Sequence, residues 1–190
     1  MKSIGYFAVL FMSGIAVADP QLIDIPALQG EAKVLIKNLA TSLSGELQKA
    51  IAQGGPADGI QVCNLKALPL TAATTEGSEW QIGRTSLKLR NPENAPDNWE
   101  VAVLEDFQAK AEAGADLQTL AYSEVLVGED GSRTFRMMKA IPVADKCLAC
   151  HGAELSNEVT AVLDGLYPED EARGFAQGDL RGAFTLQKTF

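Results

Sequence analysis

A chain of 190 residues with 16 basic and 25 acidic side chains, net charge −9, repels nucleic acid and anionic lipid headgroups and suits a partner with a basic face. The length is enough for one domain with a proper core and short for two.

Taken from the N-terminus, Lys2 precedes the apolar run Ile4 to Val17, and Ala16-Val17-Ala18 stands just before Asp19-Pro20. This is the pattern of a secretory signal peptide over residues 1–18, cleaved after Ala18, and the run is too short to span a bilayer. The mature domain is then expected over residues 19–190, with a charge of −10 once Lys2 is lost, exported to the periplasm. No second stretch of spanning length follows, so no membrane insertion is expected after cleavage.

Leu28, Leu35, Leu39, Leu43, Leu47 and Ile51 recur largely at helical steps of four, which predicts a long amphipathic helix from about Ala27 to Ala52. Such a helix can cover a sheet within one monomer or pair with a second copy in a homodimer. Gly54-Gly55-Pro56 stops it, and Pro56 suits the first turn of another helix carrying Ile60, Cys63 and Ala67 on one inward face. Pro69 is expected to bend or end that helix, with a loop over 74–78.

Trp80 to Thr85 reads as a strand. Two prolines and two asparagines make the segment after Arg90 irregular. Asp97 and Glu100 have capping-box spacing and start a helix to about Ala113, with Val101, Leu104 and Phe107 inward. Leu120 to Val127, the turn Gly128-Glu129-Asp130-Gly131 and Ser132 to Val143 form the clearest hairpin in the chain. Ser156 or Asn157 caps a short helix through Leu166. An acidic, glycine-rich linker from Glu169 to Gly178 then leads to a last strand, Leu180 to Thr189. The order of elements predicts an α+β domain with a small antiparallel sheet flanked by helices.

Directly after the hairpin comes Cys147-Leu148-Ala149-Cys150-His151-Gly152, a C-x-x-C-H signature for covalent haem c. Two thiols must add to two vinyl groups on one porphyrin edge, and two intervening residues put both sulfurs on one side of the backbone. The next residue can then present an imidazole to the iron. Cys147 and Cys150 are therefore the expected thioether anchors and His151 the proximal ligand. A thioredoxin-like site lacks its βαβ context, since the preceding segment belongs to a hairpin. A four-ligand zinc site with Cys63 asks adjacent Cys150 and His151 to converge on one centre. A disulfide between Cys147 and Cys150 closes too small a loop to stabilise much.

His151 is the only histidine, so the sixth iron position falls to Cys63, Met137, Met138, a lysine or solvent. Met137 and Met138 lie on one strand, and only one can face inward from it. Cys63 is left over by the haem motif in an oxidising compartment, where a lone thiol pairs or oxidises unless it is buried or coordinated. Thiolate stabilises ferric iron and lowers the potential, the reverse of methionine. Peroxidase-type catalysis needs an open iron position and a distal acid or base, so with a single histidine no enzymatic activity is expected.

Gly55-Pro56, Ile60 to Cys63, Arg84 to Pro92, Asn94, Pro96-Asp97, Trp99-Glu100, the haem motif, Tyr167-Pro168 and Gly178 to Ala183 together resemble a family of single-haem c-type, PAS-like haem-binding domains. That family is known as a domain of unknown function, found alone in the periplasm and as the sensory part of membrane-bound signalling proteins. The resemblance runs from about Gly55 to Ala183. It implies a PAS-like fold with His/Cys axial ligation, so that His151 and Cys63 hold the iron of one haem c. Asp58-Gly59 departs from the small helix formers usual there. Gly59 lowers helix propensity by roughly 1 kcal/mol relative to Ala, which predicts a more mobile Cys63 helix. Arg84 and Arg90, with Lys88 and Arg181 behind them, are candidates to pair with haem propionates. The resulting expectation is a redox or diatomic-gas sensor acting on a separate signalling protein, with a small electron-transfer cytochrome as the alternative.

Overall fold

The computed structural model describes residues 23–190. The expected signal peptide, residues 1–18, lies outside the described residues. The chain runs α1 (Ile25–Thr74), β1 (Trp80–Thr85), α2 (Asn98–Glu112), β2 (Ala121–Val127), β3 (Arg133–Pro142), the single-turn α3 (Leu148–His151), α4 (Asn157–Leu166) and β4 (Leu180–Thr189). The four strands form one antiparallel sheet in the order β1-β4-β3-β2. This is the α+β architecture expected, a PAS-like sheet with a long N-terminal helix. No helix among the described residues is long and apolar enough to cross a membrane.

Both faces of the sheet are covered, because successive residues of a strand point to opposite sides. Leu28 and Ala32 of α1 pack with Trp80, Phe135, Met137 and Leu186 on one face. Val103, Leu104 and Phe107 of α2 pack with Met138, Ala140 and Ala183 on the other. Met137 and Met138 are therefore both buried, 2% and 0% exposed, where one inward methionine was expected. The α2 stripe is centred on Val103 rather than Val101, although the capping box forms as read, with Asp97 accepting from the Glu100 N–H and Glu100 from the Asp97 N–H.

The long helix is two helices. Gly54 (φ −144°, ψ 17°) and Gly55 (φ 80°, ψ −172°) are non-helical. The left-handed φ at Gly55 is one that side chains other than glycine rarely adopt. The second limb folds back along the first, since Lys66 pairs with Glu46, twenty residues upstream, and Gly59 lies against Leu47 and Ile51. A Cβ at Gly59 would stand 2.9 Å from Leu47 Cδ1 and 3.0 Å from Ile51 Cγ1. Gly59 is thus a close-approach residue in a helical hairpin. Pro69 does not end the second limb, which runs on to Thr74. The carbonyl that loses its donor there is that of Leu65, a residue 73% exposed.

Ile60 of the second limb packs with Val159, Leu163 and Tyr167 of the α4 region, which fixes the cysteine three residues on from Ile60. Gly59→Leu should overpack the hairpin and cost about 1–3 kcal/mol in urea unfolding, whereas Leu65→Ser stays within about 0.5 kcal/mol; equal effects would remove the close-approach argument. Glu46, bonded by Lys66 and Lys49, is held down to about 2 from an ordinary 4.5. Its contribution is present above pH 4.5 and lost as pH falls toward about 2. Glu46→Gln should therefore melt slightly lower than the wild type at pH 7, with the gap closing on acidification.

Candidate functional site

The ends of β1, β3 and β4 meet the second limb of α1 and the segment holding the C-x-x-C-H motif. Between them is a cavity of about 220 Å³ lined by Cys63, Arg84, Arg90, Cys147, His151 and Tyr167, among others. Of the residues singled out from sequence, Cys63, Arg84, Arg90, Cys147 and His151 are brought to this one space. Cys150 stands beside it in the Ile60 cluster, with its Sγ 4.0 Å from the Pro56 carbonyl oxygen. Met137 and Met138 do not line it; they fill the core on either face of the sheet.

His151 ends the single turn α3. Its Nδ1 donates to the Ala172 carbonyl at 2.8 Å, because a carbonyl can only accept. That bond leaves the Nε2 lone pair free. Burial, with Arg181 and Arg90 nearby, pushes its pKa down to about 3, so the ring is neutral at any ordinary pH. The turn itself is pinned by main-chain bonds from Gly174 N to Gly152 O and from Phe175 N to His151 O, both 3.0 Å. The Phe175 ring meets the imidazole edge-on at 6.3 Å.

Arg90 ties three segments together. Its Nε donates to Asp170 Oδ1 at 3.1 Å, and its Nη2 to the Cys150 carbonyl at 2.6 Å, the Ala172 carbonyl at 3.1 Å and Asp170 Oδ2 at 3.2 Å. Asp170 also accepts from Arg173 Nε at 2.8 Å and from its own loop's Ala172 N–H at 2.9 Å. Burial alone would raise the Asp170 carboxyl, but its bonds from Arg90 and Arg173 outweigh it and hold the pKa below the usual carboxylate range. The segment read from sequence as an acidic linker is thus an ordered part of the site.

Arg84 behaves differently. Its guanidinium makes no hydrogen bond or ion pair with any described residue, and burial pushes its pKa below the ordinary value. Arg181 donates to Ser86 Oγ at 3.1 Å and to the Lys88 carbonyl at 3.2 Å, and burial with Arg90 and Arg84 close by pushes it down to about 10. A chain of net charge −9 therefore turns three arginines toward one cavity, with Asp170 the carboxylate paired to Arg90. Burial raises the Cys63 thiol, against the opposing pull of Arg84 and Arg90. None of the three cysteines is joined to another by a disulfide. Among the described residues no group of three or more His, Cys, Asp and Glu stands together as a metal site.

A family model of Tll0287-like proteins matches residues 25–188. The chain belongs to the Tll0287-like family. Among solved structures, that of the cyanobacterial heme-protein Tll0287 superposes with a TM-score of 0.62 at 27% identity, covering 85% of this chain and 94% of that one. No curated protein matches the sequence. The Tll0287-like assignment agrees with the resemblance carried by the Arg-Asn-Pro block, and the structure shows what that block does. Thr85 Oγ1 donates to the Asn94 carbonyl, Ser86 Oγ to the Arg181 carbonyl, and Asn91 caps the 3-10 turn Pro92–Asn94. Together these bonds build one cavity wall.

Gly182 completes that wall. Its φ is 152° and a Cβ there would lie 2.2 Å from the Thr85 carbonyl oxygen. Gly182→Ala should cost about 1–3 kcal/mol from strained backbone alone, with the β1 and β4 ends forced apart; an unchanged urea midpoint would contradict this reading of the wall.

Proposed function

We propose that this chain is a periplasmic c-type haem protein whose iron is held by His151 and Cys63, acting as a redox or diatomic-gas sensor. Cys147 and Cys150 would form the thioether bonds, with Cys150 turning from the Pro56 carbonyl to reach the ring. The observation that carries the reading is the shared cavity: a neutral histidine with Nε2 free and a partnerless thiol, supplied by two separate elements, face one space. The cavity is smaller than the 300–1000 Å³ or so of most ligand pockets, so a macrocycle fits only with part of it in the open mouth. The donor set fits haem well in every other respect. The similar cyanobacterial protein is itself described as a heme-protein.

When bound, haem would supply one-electron chemistry and, where a ligand leaves, a position for a diatomic gas. His151 supplies a fixed imidazole. Arg84 and Arg181 supply positive charge that two propionates would neutralise, since a guanidinium buried without a carboxylate is costly. Cys63 is the adjustable member. Its burial favours the protonated thiol, so Sγ gives up its proton only while positive charge faces it and takes one back when that charge falls. This balance favours a sensor over a simple electron carrier, which needs both ligands to stay. Cys63 also sits on a limb joined at Gly54-Gly55 to the helix that covers the sheet, a connection through which a change at Sγ can reach the rest of the domain. We read no enzymatic role into the site. The signal would pass to a separate redox or signalling protein, and the acidic surface suits a partner with a basic face.

Ferric wild-type protein, expressed with haem c maturation, should show low-spin thiolate ligation by absorption and EPR, and Cys63→Ala should lose it. Matching spectra would leave Cys63 a structural thiol and return the choice to the electron-transfer reading.

A further inference from the structure

We propose that the buried Arg90–Asp170 pair is a positioning device for His151 that sets the redox equilibrium of the bound iron. The inference rests on the haem reading and deepens it. Neither Arg90 nor Asp170 is an iron ligand in that reading, yet they are the most heavily bonded side chains in the site. Their side chains are 12% and 0% exposed.

A buried ion pair is poor grounds for stability, because desolvation of the two charges offsets their attraction. Its placement is more informative. Arg90 lies 60 residues from Cys150 and 80 from Asp170 in sequence, and it holds the carbonyl inside the C-x-x-C-H motif and the carbonyl that orients His151. The Ala172 oxygen accepts two bonds at once, from His151 Nδ1 at 2.8 Å and from Arg90 Nη2 at 3.1 Å. Sharing that oxygen with a guanidinium reduces the electron density it can offer to Nδ1–H. The imidazole then has less imidazolate character and is a weaker donor to ferric iron. Asp170 restrains the effect by drawing Arg90 toward itself and by bonding the Ala172 N–H. Arg90 and Asp170 thus act through Ala172 and neither touches a reacting atom.

The two halves of the pair have opposite signs, and this makes the idea testable. Arg90→Gln removes a positive charge near the iron and frees the Ala172 carbonyl for His151 alone. Both changes favour the ferric state, so the potential falls. Asp170→Asn removes a negative charge and leaves Arg90 to the carbonyls, so the potential rises. Removal of one charge in surroundings of effective dielectric constant about 20 should change the reduction equilibrium by roughly tenfold in each direction. Arg90→Lys keeps the charge and should return the potential toward the wild-type value.

The experiment is a spectroelectrochemical titration of the haem-loaded wild type and the three variants, with EPR of each ferric form. Nitrogen NMR of His151 in the haem-free wild type and Arg90→Gln reads the Nδ1–H bond independently. Opposite shifts for Arg90→Gln and Asp170→Asn, with recovery in Arg90→Lys and a moved Nδ1 resonance in Arg90→Gln, support the proposal. Shifts in the same direction, no shift, or loss of haem from all three variants overturn it in favour of a purely structural role. A wild-type chain that takes up no haem would instead overturn the functional reading on which the proposal stands.

Discussion

The bond from His151 Nδ1 to the Ala172 carbonyl decides what the only histidine can do. Without it the proton could sit on either ring nitrogen; with it, Nε2 carries the lone pair of a ring that lines the cavity. That carbonyl is held in turn: Ala172 is fixed by Arg90 at its oxygen, by Asp170 at its own N–H, and by the bridge between Gly152 and Phe175. The motif segment, the Arg-Asn-Pro segment and the loop after α4 therefore form one unit around a single oxygen. That is why residues from three distant parts of the sequence sit together in this fold.

Charge is distributed in the same sense. The surface is acidic, while the cavity collects Arg84, Arg90 and Arg181. Only Arg90 is matched by a buried carboxylate. Desolvation of the other two, visible in their lowered pKa values, is the kind of cost that a doubly anionic ligand would offset. Cys63 experiences the same surroundings from the other side: burial opposes its thiolate and the arginines favour it.

Much of the fold is legible in the order of residues alone. The strands Trp80–Thr85 and Leu180–Thr189, the hairpin, the capping box and the Ser156 cap all depend on local patterns with a period or a fixed spacing, and local patterns survive in the sequence. What escapes depends on contacts between distant segments. Gly59 reads locally as a weak helix residue, and only its packing on Leu47 and Ile51 explains it. Met137 and Met138 look like competitors for one inward position until two helices cover the two faces of the sheet. Pro69 reads as a helix end, yet the second limb runs through it to Thr74. Cys63, Arg84, Cys147 and His151, which the structure brings to one cavity, can be singled out in the sequence because thiols, an imidazole and a guanidinium announce their chemistry by residue type. Arg90 is legible as a residue but not as a role, since its acceptors include two backbone carbonyls, and a carbonyl has no signature in sequence. Asp170 is hidden for a different reason: acidic, glycine-containing segments resemble solvated linkers, and this one is ordered by bonds from a residue eighty positions away.

The central claim is that one iron is held between His151 Nε2 and Cys63 Sγ. The most direct test is a crystal structure of the matured ferric protein with anomalous scattering collected across the iron absorption edge. The expected result is a single iron peak bonded to both atoms, with thioether density at Cys147 and Cys150 and carboxylates of the ring against Arg84 and Arg181. An iron bonded to His151 with Cys63 turned away, or with Met137 or Met138 drawn out of the core as the second ligand, would contradict it.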